Sequence, residues 1–542
     1  MNSTQSATPV DASPLRPFRH RAFAVIWTAS VISNVGSWMQ NAAGGWLMTT
    51  LDRDPLMVAM VQAATSLPMF VFALPAGALA DIISRRRLLL TMEIVWTVLA
   101  FGLTLLVASG RVTPASLLAL IAVCAIATAM CAPAWQAMVP QLVTRDDLPQ
   151  AVAMNSVGIN ISRAIGPALA GVVIAGWGIA APFGLNAASN LVVIAALLWW
   201  REPAPPANAL PVETFGSAMR AGIRYARYNG LLRATLVRAI GFFLFGSAYW
   251  ALLPLVAREQ VAGGAALYGL LLGAIGAGAV AGAFALPRLK ARLGANRVVA
   301  AGTAGTAAAM VLYGVAHSAW VVLAASALAG ASWIAVLATI NVSAQIALPA
   351  WVRGRGLAVY AAVMFGAMSV ASMLWGEVAA LVGLPGAHFA AAACALATIP
   401  LLHRWKLLGR TEVDLTPSMD WPSPVLAQDV DNDRGPVLVT IDYRIAREQR
   451  DAFVTTMAAL AAERRRDGAY SWGLFEDTAD PTRCVETFLV DSWLEHLRQH
   501  QRVTRADRAL QQRIRELEIA PARVTHMIAV GAPAGRQRNR RR

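Results

Sequence analysis

The chain has 542 residues, 57% of them hydrophobic and only 14% charged, with a mean hydropathy of +0.52, which excludes an ordinary soluble domain as its main body. A formal net charge of +15 suits a nucleic-acid binder only if the arginines share one soluble face, and here they fall between apolar stretches. The four cysteines, Cys124, Cys131, Cys394 and Cys484, have neither disulfide nor zinc spacing.

Residues 1–21 are rich in Ser, Thr and Pro and lack a short apolar core with a cleavage site, so a disordered tail is expected there, not a signal peptide. Crossing a hydrocarbon core takes about 20 apolar residues. Stretches that meet this lie near 22–50, 57–80, 88–109, 114–143, 150–178, 181–200, 234–256, 264–287, 298–316, 319–348, 356–381 and 386–403, twelve spans in all. Positive charge stays on the inner side of a membrane. One set of loops holds Arg85 to Arg87, Arg220, Arg224, Arg227, Arg233, Arg288, Arg353 and Arg355 among others, and the alternate set holds only Arg53, Arg111 and Arg258. Both termini are therefore expected in the cytoplasm.

Residues 22–200 form the first six-helix half, 201–233 a central cytoplasmic loop with the basic amphipathic stretch 219–228, and 234–408 the second half. Gln136-Ala-Met-Val-Pro140 in span four is echoed by Gln345-Ile-Ala-Leu-Pro349 in span ten, as a duplicated origin requires. Arg163 in span five, Glu93 in span three, Glu377 in span eleven and Arg238 at the start of span seven are ionisable groups within apolar spans. A charge at such a depth costs about 2.5–3.5 kcal/mol and needs a partner or a cavity. The expectation is that Arg163 and at least one of the two glutamates face a central cavity and handle a proton or an anionic substrate group. A buried structural pair is the alternative. Gln136, Asn155, Asn160 and Gln345 are further polar candidates, with Asn34, Gln40, Asn41, Gln62 and Asn341. Trp250 and Trp333 are candidates for stacking on an aromatic ligand, whereas Trp38 and Trp46 read better as boundary anchors.

Between spans two and three, Gly77-Ala-Leu-Ala-Asp81-Ile-Ile-Ser-Arg85-Arg86-Arg87 resembles the signature loop of the major facilitator superfamily, roughly Gly-x-Leu-Ala-Asp-Arg-x-Gly-Arg-Arg. Gly77, Leu79, Asp81, Arg85 and Arg86 match, while Ile82 and Ser84 depart from it. A weaker counterpart runs from Pro287 to Arg297. The resemblance implies that Gly77, Asp81, Arg85 and Arg86 gate the cytoplasmic side during alternating access. In span five, Gly166-Pro167-Ala-Leu-Ala-Gly171 resembles the antiporter motif of the same superfamily. Ser33-Asn-Val-Gly-Ser-Trp-Met-Gln40, Gly45-Trp46, Ala132 to Val143 and Asn155 together are similar to the secretion-effector branch that includes enterobactin exporters. That branch implies export of siderophores, drugs or similar metabolites.

After an acidic, Pro-containing linker at 409–434, residues 435–531 alternate as β-α-β-β-α-β, a ferredoxin-like unit, and 532–542 form a basic tail. Trp472, Trp493 and the run Glu486-Thr-Phe-Leu-Val-Asp-Ser-Trp-Leu-Glu-His496 resemble the dimeric α/β-barrel family typified by antibiotic-biosynthesis monooxygenases. His496 and His500 share a helix face at metal-ligand spacing, but no third ligand stands out, and no metal site is assigned. The resemblance makes Trp472, Trp493 and His496 candidate catalytic remnants, with a regulatory or dimerising module as the favoured reading.

The expected architecture is thus an all-α membrane protein of twelve transmembrane helices in two six-helix halves, with a C-terminal α+β ferredoxin-like domain. The expected activity is export of a small metabolite, siderophore or drug across a bacterial inner membrane by proton antiport. Its energy source is the proton gradient, with no cofactor, since no Walker loop is present. The expected partners are the bilayer, a small substrate and a second copy through the C-terminal domain, with no nucleic acid. The rival readings are an enzymatically active C-terminal domain and an uptake permease.

Overall fold

The computed structural model describes residues 15–202, 215–349, 351–407, 415, 430–431 and 433–530. In lipid every backbone polar group must be satisfied within its own segment, so apolar runs of this length fold as helices. Among the described residues, ten helices are long and apolar enough to cross a membrane. The first six are α1 (Arg21–Leu51), α2 (Pro55–Ile82), α3 (Arg85–Ala108), α4 (Pro114–Leu142), α5 (Leu148–Trp177) and α6 (Ala181–Trp199). Their starts follow local capping chemistry. Asp54 accepts from the Leu56 amide ahead of Pro55, and Thr113 and Ser116 form a reciprocal capping box at α4.

After α7 (Phe215–Tyr228) come α8 (Gly230–Gly246), α9 (Ala248–Leu255), α10 (Ala265–Val315), α11 (Ala319–Ile346) and α12 (Arg353–Leu401). At 1.5 Å per residue the 51 residues of α10 would span about 76 Å, more than twice a hydrocarbon core. It is instead two helices meeting at a kink at Gly294, where φ is 75°, and α12 divides likewise at Gly383, where φ is 77°. Only glycine enters this left-handed region without steric cost. The charged stretch expected as a loop after span eight is therefore helical up to the kink, with Arg288, Lys290 and Arg292 in the first arm of α10.

Contact clustering divides the chain into two units. The first comprises Met1–Glu213, Leu236–Asn341 and Tyr360–Lys406. In it α1 packs on α5 and α6, α2 on α4, α3 on α4 and α6, and α5 on α10. Phe23, Leu89, Met138 and Leu197 form part of a buried cluster in the first half. Within the stretch expected as a tail, Arg16–Arg19 form a 3-10 turn, with Arg16 Nε 2.7 Å and His20 Nε2 2.7 Å from the Asp147 carboxylate.

The second unit comprises Thr214–Thr235, Val342–Val359 and Leu407–Arg542. Its sheet contains β1 (Val437–Ile445), β2 (Ser471–Glu476), β3 (Arg483–Val490) and β4 (Glu518–Ile528), antiparallel in the order β2-β3-β1-β4. Helices α13 (Arg450–Asp467), α14 (Trp493–Arg502) and α15 (Arg508–Leu517) complete two split β-α-β units. The second helix of the expected β-α-β-β-α-β order is two helices, α14 and α15. Thr504 Oγ1 and its amide both bond Asp507, a start signal that interrupts the run. Alternate β1 residues, Val437, Val439, Ile441 and Tyr443, are buried beneath the helices with Phe453, Met457, Trp493 and Ile514.

Candidate functional site

Small residues let α5 lie between two helices at backbone distance. A Cβ on Gly166 would stand 2.6 Å from Trp38 Cβ and 2.7 Å from the Val35 carbonyl of α1. On the other flank, a Cβ on Gly276 would meet Ala164 Cα at 2.7 Å, and one on Gly269 would meet the Pro167 carbonyl at 2.9 Å. Gly171 faces Ala265 and Ala266 in the same way. The Gly166-Pro167-Gly171 stretch therefore lies at a seam where α5 packs against α1 and α10.

Beside that seam is a cavity of about 250 Å³, lined by Trp38, Asn41, Gln62, Thr65, Arg163, Pro167, Trp250, Tyr268, Trp333, Met364, Phe365 and Met368 among others. Its walls come from α1, α2, α5, α9, α10, α11 and α12. Arg163 stacks its guanidinium over the Trp38 ring at 5.1 Å, and its buried Nε has no hydrogen-bond partner among the described residues. Trp250 and Trp333 meet edge to face with centroids 5.9 Å apart, and Phe242 and Phe243 brace Trp333 from behind. The chamber is thus aromatic, with one cation and a few neutral polar groups.

The expected residues divide around it. Arg163 lines the cavity, as do Asn41, Gln62, Trp250 and Trp333, and Trp38 belongs to the chamber and not to a boundary anchor. The glutamates do not line it: Glu93 receives a hydrogen bond from Trp135 Nε1 at 3.4 Å, and Glu377 is exposed. Arg238 is buried and donates to the Trp405 carbonyl at 3.0 Å. Gln40 bonds Asn186, Asn160 donates back to the Ser156 carbonyl, Asn155 is half-buried, and Gln136 and Gln345 are exposed. Trp46 stacks on Tyr268 behind the lining, with Arg258 over its ring. Tyr268, Met364, Phe365 and Met368 were not foreseen, because an apolar residue inside an apolar span has no periodic signature of its own.

Of the loop residues, Arg86 donates from Nε to the Leu197 carbonyl and from Nη2 to the Leu198 carbonyl, both at 2.8 Å, and its amide faces Glu202 at 3.3 Å. It ties the start of α3 to the end of α6 and satisfies carbonyls that the last turn of α6 leaves open. Arg85 is the first residue of α3. Gly77 and Asp81 fall in the last turns of α2, but their side chains lie outside the described residues.

In the second unit, Glu486 is fully buried and collects four donors: Arg464 Nε and Nη2, Trp472 Nε1 and Tyr443 Oη. A buried carboxylate persists only with such complete pairing. Trp472 is thereby a structural donor, and Trp493 belongs to the hydrophobic core. His496 is buried with its Nε2 3.1 Å from His500 Nε2. His526 of β4 brings its ring to 4.7 Å from that of His496. Burial, then the neighbouring His500 and His526, push His496 down to about 3; burial and His526 push His500 down to about 4, and burial also lowers His526.

A family model described as transmembrane secretion effector matches residues 12–534, which includes the C-terminal domain. The staphyloferrin A transporter of Staphylococcus aureus (strain NCTC 8325 / PS 47) is 25% identical over 277 residues, 49% of this chain and 67% of its own length. The enterobactin exporter EntS of Salmonella typhi is 27% identical over 304 residues, 55% of this chain and 70% of its own. Among solved structures, a POT family transporter with a bound thioalcohol-conjugated peptide aligns at a TM-score of 0.59 and 13% identity, covering 71% of this chain and 96% of that one. An inward-facing bacterial homologue of the human lysosomal transporter Spinster aligns at 0.52 and 14% identity, over 72% of this chain and 96% of that one. The multi-pass helical fold, the two-helix kinks and the match along nearly the whole sequence agree, and the chain belongs to the transmembrane secretion effector family of major facilitator transporters.

Proposed function

We propose that this protein exports a small amphiphilic molecule carrying aromatic and anionic groups, of the siderophore class, across a bacterial inner membrane by proton antiport. Twelve crossings with both termini in the cytoplasm belong to the proposal, since the two kinked helices each supply two arms. The observation that carries it is Arg163, an incompletely bonded guanidinium held in a chamber of tryptophans. A phenolate or carboxylate would complete its hydrogen bonds while flat rings stack on Trp38, Trp250 or Trp333.

One charge crossing 100 mV supplies about 2.3 kcal/mol, equivalent to a roughly fortyfold gradient. Glu93 is the better candidate for the coupling proton, because it lies within α3 beside Trp135, whereas Glu377 is exposed. Gly77, Asp81, Arg85 and Arg86 are proposed to gate the cytoplasmic side. The seam at Gly166, Pro167 and Gly171 is proposed to keep the two halves from leaking during alternation. For the C-terminal domain a regulatory or dimerising role is favoured over catalysis, because Trp472 is engaged by Glu486 and Trp493 by the core. A homodimer would use the uncovered sheet face, where Phe475 and Met527 are exposed.

The test is metabolite profiling of deletion and overexpression strains under iron limitation, with proton-driven uptake into inside-out vesicles. Export predicts that the deletion strain retains the substrate inside the cell and that collapsing the proton gradient stops vesicle uptake. Lower cellular substrate in the deletion strain would establish the uptake reading instead. Vesicle uptake by Glu93→Gln at the wild-type rate with unchanged pH dependence would remove Glu93 from coupling.

A further inference from the structure

We propose that His496, His500 and His526 form a binding site for one first-row transition-metal dication with zinc-like ligand preference. His496 and His500 are one turn apart on α14, so their rings project from the same helix face. His526 comes from β4, paired opposite the buried Val439 and hence on the helix-covered side of the sheet. One nitrogen from each ring can be chosen so that all three lie within 4.8 Å of one another. The closest pair, the Nε2 atoms of His496 and His500, is 3.1 Å apart. A tetrahedral ion with metal–nitrogen bonds of about 2.0–2.1 Å needs ligand nitrogens about 3.3 Å apart. The helix pair already has that spacing, and His526 reaches it by a small ring movement.

Two of the three rings are only partly buried, which leaves a fourth coordination position within reach of water. The nearby cation, Arg464, is neutralised by its bidentate pair with Glu486. The same helix holds other parts of its unit: Glu495 Oε1 lies 3.3 Å from Arg224 Nη2 of α7, and the Arg502 guanidinium stacks 4.5 Å over Trp351. A metal bridging α14 to β4 would therefore stiffen the helix that carries those two contacts. The site does not depend on what the transporter carries.

The experiment uses the full chain, purified in detergent with a tag that contains no histidine and stripped with a chelator. It is titrated with Co²⁺, followed by visible absorption, and then with Zn²⁺. The expected result is one Co²⁺ per chain with the intense ligand-field bands of a tetrahedral site, displaced by one Zn²⁺. His500→Gln and His526→Gln, both at partly buried positions, should keep the thermal transition of the metal-free protein while weakening Co²⁺ binding at least about tenfold. No such bands in the wild type, or bands of equal affinity in both folded variants, would overturn the site.

Discussion

Arg163 combines a cost and a use in a single side chain. A guanidinium at the centre of a membrane helix is unfavourable by about 2.5–3.5 kcal/mol on the insertion scale, and stacking on one tryptophan returns about 2 kcal/mol when desolvated. Its Nε still has no hydrogen-bond partner among the described residues, so the ring offsets only part of that cost. Arg163→Leu is therefore expected to raise the melting temperature in detergent while lowering vesicle transport at least tenfold, on the order of 1.4 kcal/mol of lost substrate interaction. Arg163→Lys keeps the charge without the planar fork and should fall between the two, mostly through a raised KM. A destabilised Arg163→Leu variant with normal transport would assign the residue to structure. Sequence alone was enough to single out Arg163, because a charge within an apolar run marks a cost before the neighbours that offset it are known. It could not separate Glu93 from Glu377, since both interrupt apolar runs and only the rotation of each helix decides which is exposed.

At the scale of elements, the seam of α5 is set by what glycine omits. Gly276→Val would drive a branched side chain into Ala164 Cα, 2.7 Å from where its Cβ must lie, and backbone offers no rotamer to relieve it. Overpacking of this kind costs about 1–3 kcal/mol. The expected readout is a lower melting temperature with proton leak through reconstituted vesicles, whereas Gly176→Val, at a position with open space around its Cβ, should change neither. The small-residue motif was readable as a packing signal, but its partners on α1 and α10 depend on contacts remote in sequence. The kinks at Gly294 and Gly383 fall in the gaps between the spans read as 264–287 and 298–316 and as 356–381 and 386–403; hydropathy located both breaks but not that helix runs up to a single left-handed glycine at each.

The pairing of α14 with β4 makes its own pH dependence. The folded domain holds His496, His500 and His526 neutral, with values depressed to about 3 and about 4 for the first two, while the unfolded chain takes up protons near 6.5. Between those limits the unfolded state binds more protons, so stability falls as pH drops from about 6.5 toward 4. The surrounding charges are Arg464 and Glu486, a closed pair. Metal-free protein should therefore lose melting temperature between pH 7 and pH 5 in the transition of the C-terminal domain. His500→Gln should flatten that slope, and an identical slope in the variant would remove the histidines as its cause.

For the whole molecule, sidedness links charge pattern to architecture. Helix α7, the residues around Trp351 and the C-terminal sheet domain belong to one unit: Tyr225 donates to the Ala347 carbonyl, packs edge to face on Trp351 and lies under Arg466. The proposed orientation puts the loop between α6 and α8, the turn between α11 and α12 and the C-terminal domain on the side richest in arginine. The same proposal puts Arg111, between α3 and α4, on the sparsely charged opposite side. In a cysteine-free background, a membrane-impermeant maleimide added to spheroplasts should label Arg111→Cys and leave Arg220→Cys unlabelled until the membrane is opened, since both positions are exposed. The reverse pattern would invert the orientation and place the C-terminal domain outside. Labelling of both would break the odd count of crossings between them, α4, α5 and α6, and with it the duplication of six helices proposed from the echo between Gln136 and Gln345.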